Sequence, residues 1–249
     1  MSNRSTEAAV LLLTARRTGE LLPGLPAAVA PRTMAEAYEV QHAVMKGLSA
    51  GIAGYKISIF PDGATAVAPI LTPLGTANGA ERSLAPATRM GIELEFGFRF
   101  AKAVAATALA ADVLAAIDTT VVTIELCDSR YEGIDGKARE VLVADMISNQ
   151  GWVAGTAQKF DGARNFKGAT CRQLFDGKVQ TERTASHPNG DPLYPLPLLP
   201  QALAAGGYAL SAGQFVITGS LTGLTWVAAP LLVEGEIDGF GKVACRLVG

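Results

Sequence analysis

The sequence predicts an α+β fold in which N-terminal helices precede a mostly antiparallel or mixed β-sheet. Residues 1–52 carry helix-capping residues and apolar residues at helical spacing. Residues 53–249 carry several segments in which apolar and polar residues alternate, separated by turn sequences rich in glycine and aspartate. Helices at one end of a chain and strands along the rest are typical of α+β proteins. We therefore expect a single domain over residues 1–249, with an N-terminal helical segment and a β-rich core.

Two helix starts are recognisable near the N-terminus. Ser5 or Thr6 is placed to cap a first helix that runs to about Gly19. Thr33 begins a capping-box pattern, and apolar residues recur at helical spacing after it, which predicts a second helix. His42 lies in this second helix. We interpret it as a structural residue, because a lone histidine on a helix more often packs than reacts.

Strands and turns follow along the rest of the chain. We interpret the irregular residues 61–91 either as a flap beside a site or as a surface excursion. Asp176 and Gly177 form the favoured two-residue turn of a hairpin. The other predicted elements are a strand over residues 54–59, strands over residues 91–100 and from 121, helices over residues 104–116 and 196–205, a buried strand from 214 that ends in a glycine- and hydroxyl-rich turn, and a hairpin over residues 233–248.

Charge and composition exclude several classes of function. The formal net charge is −2 and neither sign is clustered, so we expect no nucleic-acid partner. The apolar residues 8–13 are too short for a membrane span, and arginines follow them instead of preceding them as in a signal peptide. We expect no membrane association. The 3 cysteines are too few and too far apart for a disulfide framework or a zinc knuckle, which favours a reducing cytoplasm.

Three glutamates carry most of the functional information. Glu93 and Glu95 alternate with apolar residues, so their side chains share one strand face, with Cα atoms about 6.6 Å apart. Glu125 lies in a second alternating segment and would complete an oxygen-rich corner from a neighbouring strand. Gathered carboxylates repel one another, and a hard divalent cation such as Mg²⁺ or Mn²⁺ removes that repulsion. The other interpretation is that such a strand simply marks its solvated face.

Six sequence blocks, in order, resemble the hydratase/decarboxylase branch of the fumarylacetoacetate hydrolase superfamily, the branch of the 2-keto-4-pentenoate hydratases. The blocks are Ala37-Tyr-Glu-Val-Gln41, Gly54-Tyr-Lys-Ile57, Ile92-Glu-Leu-Glu-Phe96, Ile124-Glu-Leu-Cys-Asp-Ser-Arg130, Val143-Ala-Asp145 with Ser148, and Phe215-Val-Ile-Thr-Gly-Ser220. The resemblance implies a mixed β-roll or barrel with flanking helices, a divalent metal in the β-rich core, and a homo-oligomer. One departure is the pair Met146 and Ile147, which replaces the usual Asn-Ala of the family block.

The resemblance also implies roles for individual residues. The metal ligands would be Glu93, Glu95 and Glu125. The catalytic residues would be Lys56, Asp145 and Ser148. The turn that faces the substrate acid group would contain Thr218, Ser220 and Thr222. Arg130 would either pair with the substrate carboxylate or form a structural salt bridge.

These roles imply a metal-dependent hydro-lyase of aromatic catabolism. The favoured reaction adds water to a 2-hydroxy-2,4-dienoate, through its 2-oxo tautomer, to give a 4-hydroxy-2-oxo acid. A 2-oxo-acid decarboxylase, of the 4-oxalocrotonate decarboxylase kind, and an acylpyruvate carbon–carbon hydrolase are the alternatives on the same scaffold. A further alternative is a non-catalytic subunit that keeps the fold. The expected partners are the small 2-oxo acid, further copies of the chain, and an enzyme of the same pathway.

Overall fold

Two mixed β-sheets pack against one another and carry helices on their flanks in the computed structural model, which describes residues 2–249. Met1 lies outside the described residues. The helices are α1 Asn3–Thr18, α2 Met34–Leu48, α3 Ala110–Ala115, α4 Arg139–Ala144 and α5 Leu199–Ala205, with short 3-10 helices at Thr72–Leu74, Met146–Ser148 and Leu196–Leu198. Across residues 2–249, no helix combines the length and apolarity needed to cross a bilayer.

The strands form two sheets with mostly antiparallel neighbours. The strands are β1 Ile52–Ile59, β2 Thr65–Leu71, β3 Gly75–Ala77, β4 Glu81–Ser83, β5 Met90–Phe100, β6 Ile117–Cys127, β7 Asn149–Lys159, β8 Thr170–Phe175, β9 Lys178–Thr184, β10 Phe215–Ile217, β11 Thr225–Val227, β12 Leu231–Ile237 and β13 Gly241–Val248. The first sheet has the order β2-β1-β10-β5-β6-β7-β3, with β11 beside β5. The second has the order β4-β13-β12-β8-β9. The predicted α+β class and mixed sheet are confirmed.

The N-terminal helices match the prediction except at the first cap. Ser2, and neither Ser5 nor Thr6, caps α1, because its hydroxyl accepts a hydrogen bond from the Ser5 amide at 3.1 Å. The helix therefore begins one turn earlier than predicted, and it ends at Gly19 in the left-handed conformation as expected. Thr33 caps α2 through the same type of contact, so that prediction is confirmed.

Residues 61–91 are more regular than predicted. They contain β2, β3 and β4, so neither a structureless flap nor a simple excursion describes them. Pro69 obscures β2 in the sequence, yet it is tolerated because β2 is an edge strand, where a missing N–H leaves no ladder bond unmade. The predicted helix over residues 104–116 shrinks to α3, since Val104 forms a β-bridge with Leu210 and β6 already begins at Ile117.

The two faces of β5 have different surroundings. Its apolar face packs onto the second sheet, where a Cβ atom at Gly235 would lie only 2.4 Å from Leu94 Cδ1. Phe96 also contacts the ring of Phe240 edge-on, with centroids 4.7 Å apart. The opposite face of β5 carries the glutamates. Close packing of the sheets thus fixes β5 and directs the carboxylates away from the core.

A strained turn connects α4 to β7. Met146, Ile147 and Ser148 have φ values of 55°, 49° and 62°, which is the left-handed region that favours glycine. Each such residue costs of order 1–3 kcal/mol unless its surroundings hold it. The Ser148 carbonyl accepts a bond from the Asp128 amide at 2.8 Å, and the Ser148 amide donates to the Asp145 carbonyl at 3.1 Å. The turn is therefore held at both ends by backbone bonds.

A buried ion network lies next to this turn. Arg130 donates from Nε to Asp145 Oδ1 at 2.8 Å and from its backbone amide to Asp145 Oδ2 at 3.0 Å. The Arg130 guanidinium also contacts Asp128 and Gln150, and Arg16 lies 3.6 Å from Asp145. Arg130 is 1% exposed and Asp145 is 2% exposed. The Asp145 carboxylate is thus the direct partner of a guanidinium that is almost entirely buried.

Replacing Asp145 by Asn should destabilise the protein by about 3–5 kcal/mol, because the buried guanidinium groups of Arg16 and Arg130 are then left with Asp128 as their one carboxylate in this network. The free energy of unfolding in urea measures this loss. Asp118→Asn is the matched control, since Asp118 pairs with Arg99 at the surface, where such pairs contribute under about 1 kcal/mol. Equal effects of the two substitutions would contradict the structural role of Asp145.

Candidate metal centre

Adjacent strands bring the predicted glutamates to one face of the first sheet. Glu93 on β5 is directly opposite Glu125 on β6, and Glu95 is opposite Thr123 one step further along. Lys56 reaches the same region from β1, which β10 separates from β5. Side chains two residues apart on a strand share a face, so this register places all three carboxylates on one side, as the sequence predicts.

Lys56, Glu93 and Glu95 open onto a cavity of about 340 Å³, whereas Glu125 lies behind its lining. Its lining combines charged and polar residues with aliphatic ones. The lining residues are Lys56, Ile57, Ser58, Glu93, Glu95, Cys127, Ile134, Leu142, Ile147, Ser148, Gly219, Ser220 and Leu224. Of the residues predicted for the site, the cavity therefore includes Lys56, Ser148 and Ser220 together with two of the glutamates.

Glu125 is the most tightly held of the three carboxylates. It is fully buried, and Lys56 Nζ lies 2.8 Å from each of its oxygens. Asn149 Nδ2 donates to Glu125 Oε1 at 2.8 Å. Lys56 Nζ also donates to the Ile147 carbonyl at 3.1 Å, so the strained turn orients the lysine as well. The Lys56–Glu125 ion pair, the Asn149 amide and the Ile147 carbonyl thus form one hydrogen-bonded network.

Burial and crowding change the acidity of the groups at the centre. Burial raises the pKa of Glu93, and burial together with repulsion from Glu125 and Glu93 raises the pKa of Glu95 well above its usual range. Burial alone would lower the pKa of Lys56, but attraction to Glu125 raises it above its ordinary value. Lys56 therefore stays cationic, while the glutamates repel one another.

The donor set fits a divalent cation. Three carboxylates face one ammonium group, which leaves two formal negative charges in a largely buried region. Oxygen donors from Glu93 and Glu125 and the Cys127 sulfur lie within 4.8 Å of one another. Glu95 is outside that trio, because its Oε2 accepts a hydrogen bond from the Gly219 amide at 2.8 Å. A doubly charged ion would neutralise the excess charge.

The turn after β10 supplies hydroxyl groups at the cavity. Ser220 lines the cavity, and neither the Ser220 nor the Thr218 hydroxyl has a hydrogen-bond partner among residues 2–249, although both oxygens are buried. Thr222 is used internally, since its hydroxyl accepts from the Leu94 amide at 3.3 Å. His187 supports the turn from behind, with Nε2 3.0 Å from the Thr218 carbonyl. Two of the three predicted hydroxyls therefore lack a hydrogen-bond partner among residues 2–249, and of these two Ser220 lines the cavity.

Asp145 and Arg130 do not reach the cavity. They pair with each other beside the turn, as described above, and neither is among the cavity-lining residues. The structure thus shows the salt bridge that was one of the two interpretations of Arg130. His42 is also remote, since its Nε2 contacts the Gly206 carbonyl at 2.8 Å.

The sequence prediction missed three residues that contribute to the centre. Cys127 follows Glu125 by two residues, so alternation on β6 already places it on the carboxylate face. Asn149 lies beyond the residues that the family pattern covers. Ile147 holds Lys56 through its carbonyl, whose direction depends on left-handed backbone angles that the side-chain pattern does not reveal.

Comparison with known proteins identifies sequence relatives among decarboxylases. A 4-oxalocrotonate decarboxylase from Pseudomonas putida is 31% identical over 142 residues, which cover 55% of this chain and 52% of that protein. The match therefore spans about half the length of that relative. No family model matches the chain.

Solved structures match over much more of the chain. The 4-oxalocrotonate decarboxylase from Pseudomonas putida G7, complexed with magnesium and adipate, aligns with a TM-score of 0.86 at 21% identity, covering 98% of this chain and 97% of that one. The fumarylpyruvate hydrolase from Pseudomonas aeruginosa, in complex with Mn²⁺ and pyruvate, aligns with a TM-score of 0.59 at 13% identity, covering 78% and 88%. The fumarylacetoacetate-hydrolase-like fold predicted from the sequence is thereby confirmed.

Proposed function

We propose that the chain is a metal-dependent decarboxylase of a 2-oxo acid with a second carboxylate, of the 4-oxalocrotonate type. The observation that carries this proposal is a cavity whose lining combines Lys56 and two glutamates with aliphatic residues. We place one carboxylate of the substrate near Lys56, at what we call the charged end, and the other against Ile134 and Leu142, at what we call the aliphatic end. Within the described lining, Lys56 is the sole cationic side chain, and it lies at the charged end. The decarboxylase relatives support the same reaction in preference to the hydratase favoured by the sequence motifs.

The centre would hold Mg²⁺ or Mn²⁺ through the carboxylates of Glu93, Glu95 and Glu125. When bound, the cation would supply Lewis-acid withdrawal of electron density from a 2-oxo acid. Structures on this fold have been obtained with magnesium, calcium and manganese, which supports a divalent ion here.

Residues at the charged end would orient the oxo acid. Lys56 keeps its positive charge next to Glu125 and offers that charge to the oxygens of the substrate. The Ser220 hydroxyl lines the cavity with unused hydrogen-bonding capacity and suits the proximal carboxylate, and the Thr218 hydroxyl in the same turn is also without a partner. Ser148 is half-buried at the cavity wall. These groups would fix the oxo acid by its polar end and leave its tail to extend across the cavity.

The aliphatic end would favour loss of the distal carboxylate. Ile134 and Leu142 line the cavity, and a carboxylate placed against them gains no counter-ion from these aliphatic side chains. As the bond to that carboxylate breaks, its electron pair moves toward the conjugated oxo group and neutral carbon dioxide leaves. The negative charge thus moves from the aliphatic end to the charged end, where Lys56 stabilises it.

The hydratase remains the second candidate. The ordered sequence blocks support it, and so do the hydroxyls of Ser58 and Ser148, which line the cavity and are suited to hold a water molecule. A hydrolase is less well supported, because neither His42 nor His187 is among the cavity-lining residues. We further propose, from the resemblance, that the chain acts as a homo-oligomer in the cytoplasm.

Purified protein supplied with Mg²⁺ and 4-oxalocrotonate should release carbon dioxide, and Glu125→Gln should abolish both this release and Mg²⁺ binding, because one carboxylate charge is lost. Headspace carbon dioxide and product analysis by NMR distinguish decarboxylation from water addition. Glu81→Gln, at an exposed strand position, is the matched control and should retain activity. Hydration without carbon dioxide release would establish the hydratase instead, and no turnover would favour a non-catalytic subunit.

Leu142→Lys should lower kcat about tenfold or more while lowering KM, because the new ammonium stabilises the distal carboxylate before it leaves. Steady-state kinetics of carbon dioxide release measure both constants. Leu142→Met keeps the aliphatic character and should leave kcat nearly unchanged. A kcat for Leu142→Lys at the wild-type level would refute the role assigned to the aliphatic end.

Affinity for Mg²⁺ should fall as the solution is acidified, beginning above the ordinary glutamate pKa of about 4.3. The sign follows from the raised pKa of Glu93 and Glu95, since protons that occupy these groups must leave before a cation binds. Titration calorimetry at successive pH values measures the change, with circular dichroism as the control for folding. An affinity that stays constant down to the ordinary glutamate pKa would contradict this expectation.

A further inference from the structure

The thiol of Cys127 lies within the carboxylate cluster. Its Sγ donates to Glu93 Oε2 at 3.4 Å, and Cys127 is 2% exposed. Glu93, Glu125 and Cys127 each offer one ligand atom, and these three atoms lie within 4.8 Å of one another. In the part of the chain that the structure describes, this is the one group of three or more histidine, cysteine or acidic side chains with that spacing.

The backbone makes room for this thiol. Cys127 is opposite Gly91 in the pairing of β6 with β5, and a Cβ atom at Gly91 would lie 3.0 Å from Cys127 Cβ. A larger residue at position 91 would therefore crowd the cysteine. Cys127 also follows Glu125 by two residues on the same strand, so both side chains project from the same face. Thiol and carboxylates are presented together by regular strand geometry.

We propose that Cys127 is a direct ligand of the metal centre and that it shifts the preference of the centre from Mg²⁺ toward softer ions such as Co²⁺ and Zn²⁺. This inference rests on the metal dependence proposed above. Binding breaks the S–H bond, forms a sulfur–metal bond and releases the proton to solvent, with no change of oxidation state. Carboxylates alone favour hard ions, whereas a thiolate adds affinity for softer ones. The chain would then differ from an all-carboxylate centre in its choice of metal.

The other two cysteines lack this environment. Cys171 Sγ contacts the Ser186 hydroxyl and the Leu221 carbonyl, at 3.8 and 3.7 Å. Cys245 lies on β13 in the second sheet and is fully buried. Neither belongs to the group of ligand atoms described above. Cys245→Ser therefore tests the loss of a buried thiol without touching the centre.

Absorption spectroscopy of the Co²⁺-loaded protein tests the inference independently of activity. The wild-type protein and Cys245→Ser should show sulfur-to-cobalt charge-transfer absorption in the near ultraviolet, and Cys127→Ser should lack it. In competition titrations, Cys127→Ser should lose Zn²⁺ affinity by at least roughly the 10- to 100-fold that follows from removing a residue that merely supports a metal ligand, while Mg²⁺ affinity changes little. Cys127→Val repeats the comparison without a hydroxyl, and thermal unfolding checks that each variant folds.

Two results would overturn the inference. One is wild-type protein that binds Co²⁺ stoichiometrically without charge-transfer absorption, a result that needs no variant. The other is unchanged Zn²⁺ affinity in folded Cys127→Ser. Carbon dioxide release with Mg²⁺ but no sulfur-to-cobalt band would remove Cys127 from the centre and leave the proposed reaction standing. A sulfur-to-cobalt band without any carbon dioxide release would support Cys127 as a metal ligand and overturn the proposed reaction.

Discussion

The excess of negative charge on the carboxylate face is the constraint on which the rest of the site depends. Glu93 and Glu125 are fixed opposite each other by strand register, so they cannot separate without unpairing β5 from β6. Lys56 binds both oxygens of Glu125 and compensates one charge. Burial leaves the remaining negative charge without water to screen it. This raises the pKa of Glu95 well above its usual range. The same imbalance of charge would be relieved by a doubly charged ion.

The left-handed turn and the ion network belong to the same arrangement. The turn over residues 146–148 presents the Ile147 carbonyl to Lys56 and ends at Asn149, which donates to Glu125. Asp145 enters the turn from α4 and is bound by Arg130. The two residues that flank the turn are thus each held by buried polar contacts. The residues that the family pattern places near a substrate serve here partly to hold the backbone that shapes the site.

Much of the fold and part of the site follow from local sequence patterns. Alternation of apolar and polar residues predicts β5 and β6 and places Glu93 and Glu125 on a common face. The edge strand β2 was not predictable, because Pro69 interrupts a pattern that only its edge position makes acceptable. The pairing of Arg130 with Asp145 depends on a turn whose backbone angles the sequence pattern does not encode. The sequence blocks favour water addition, whereas the proposed decarboxylation also uses cavity-lining residues from outside those blocks, such as Ile134 and Leu142.

In the left-handed turn, low backbone strain and the correct orientation of Lys56 require different residues. Three consecutive non-glycine residues occupy backbone angles that glycine would adopt with less strain, and one of them is the β-branched Ile147. A glycine there would relax the backbone but would remove an aliphatic side chain from the cavity wall and let the carbonyl swing away from Lys56. Selection for stability therefore favours glycine in this segment, whereas selection for the orientation of Lys56 favours the residues that are present.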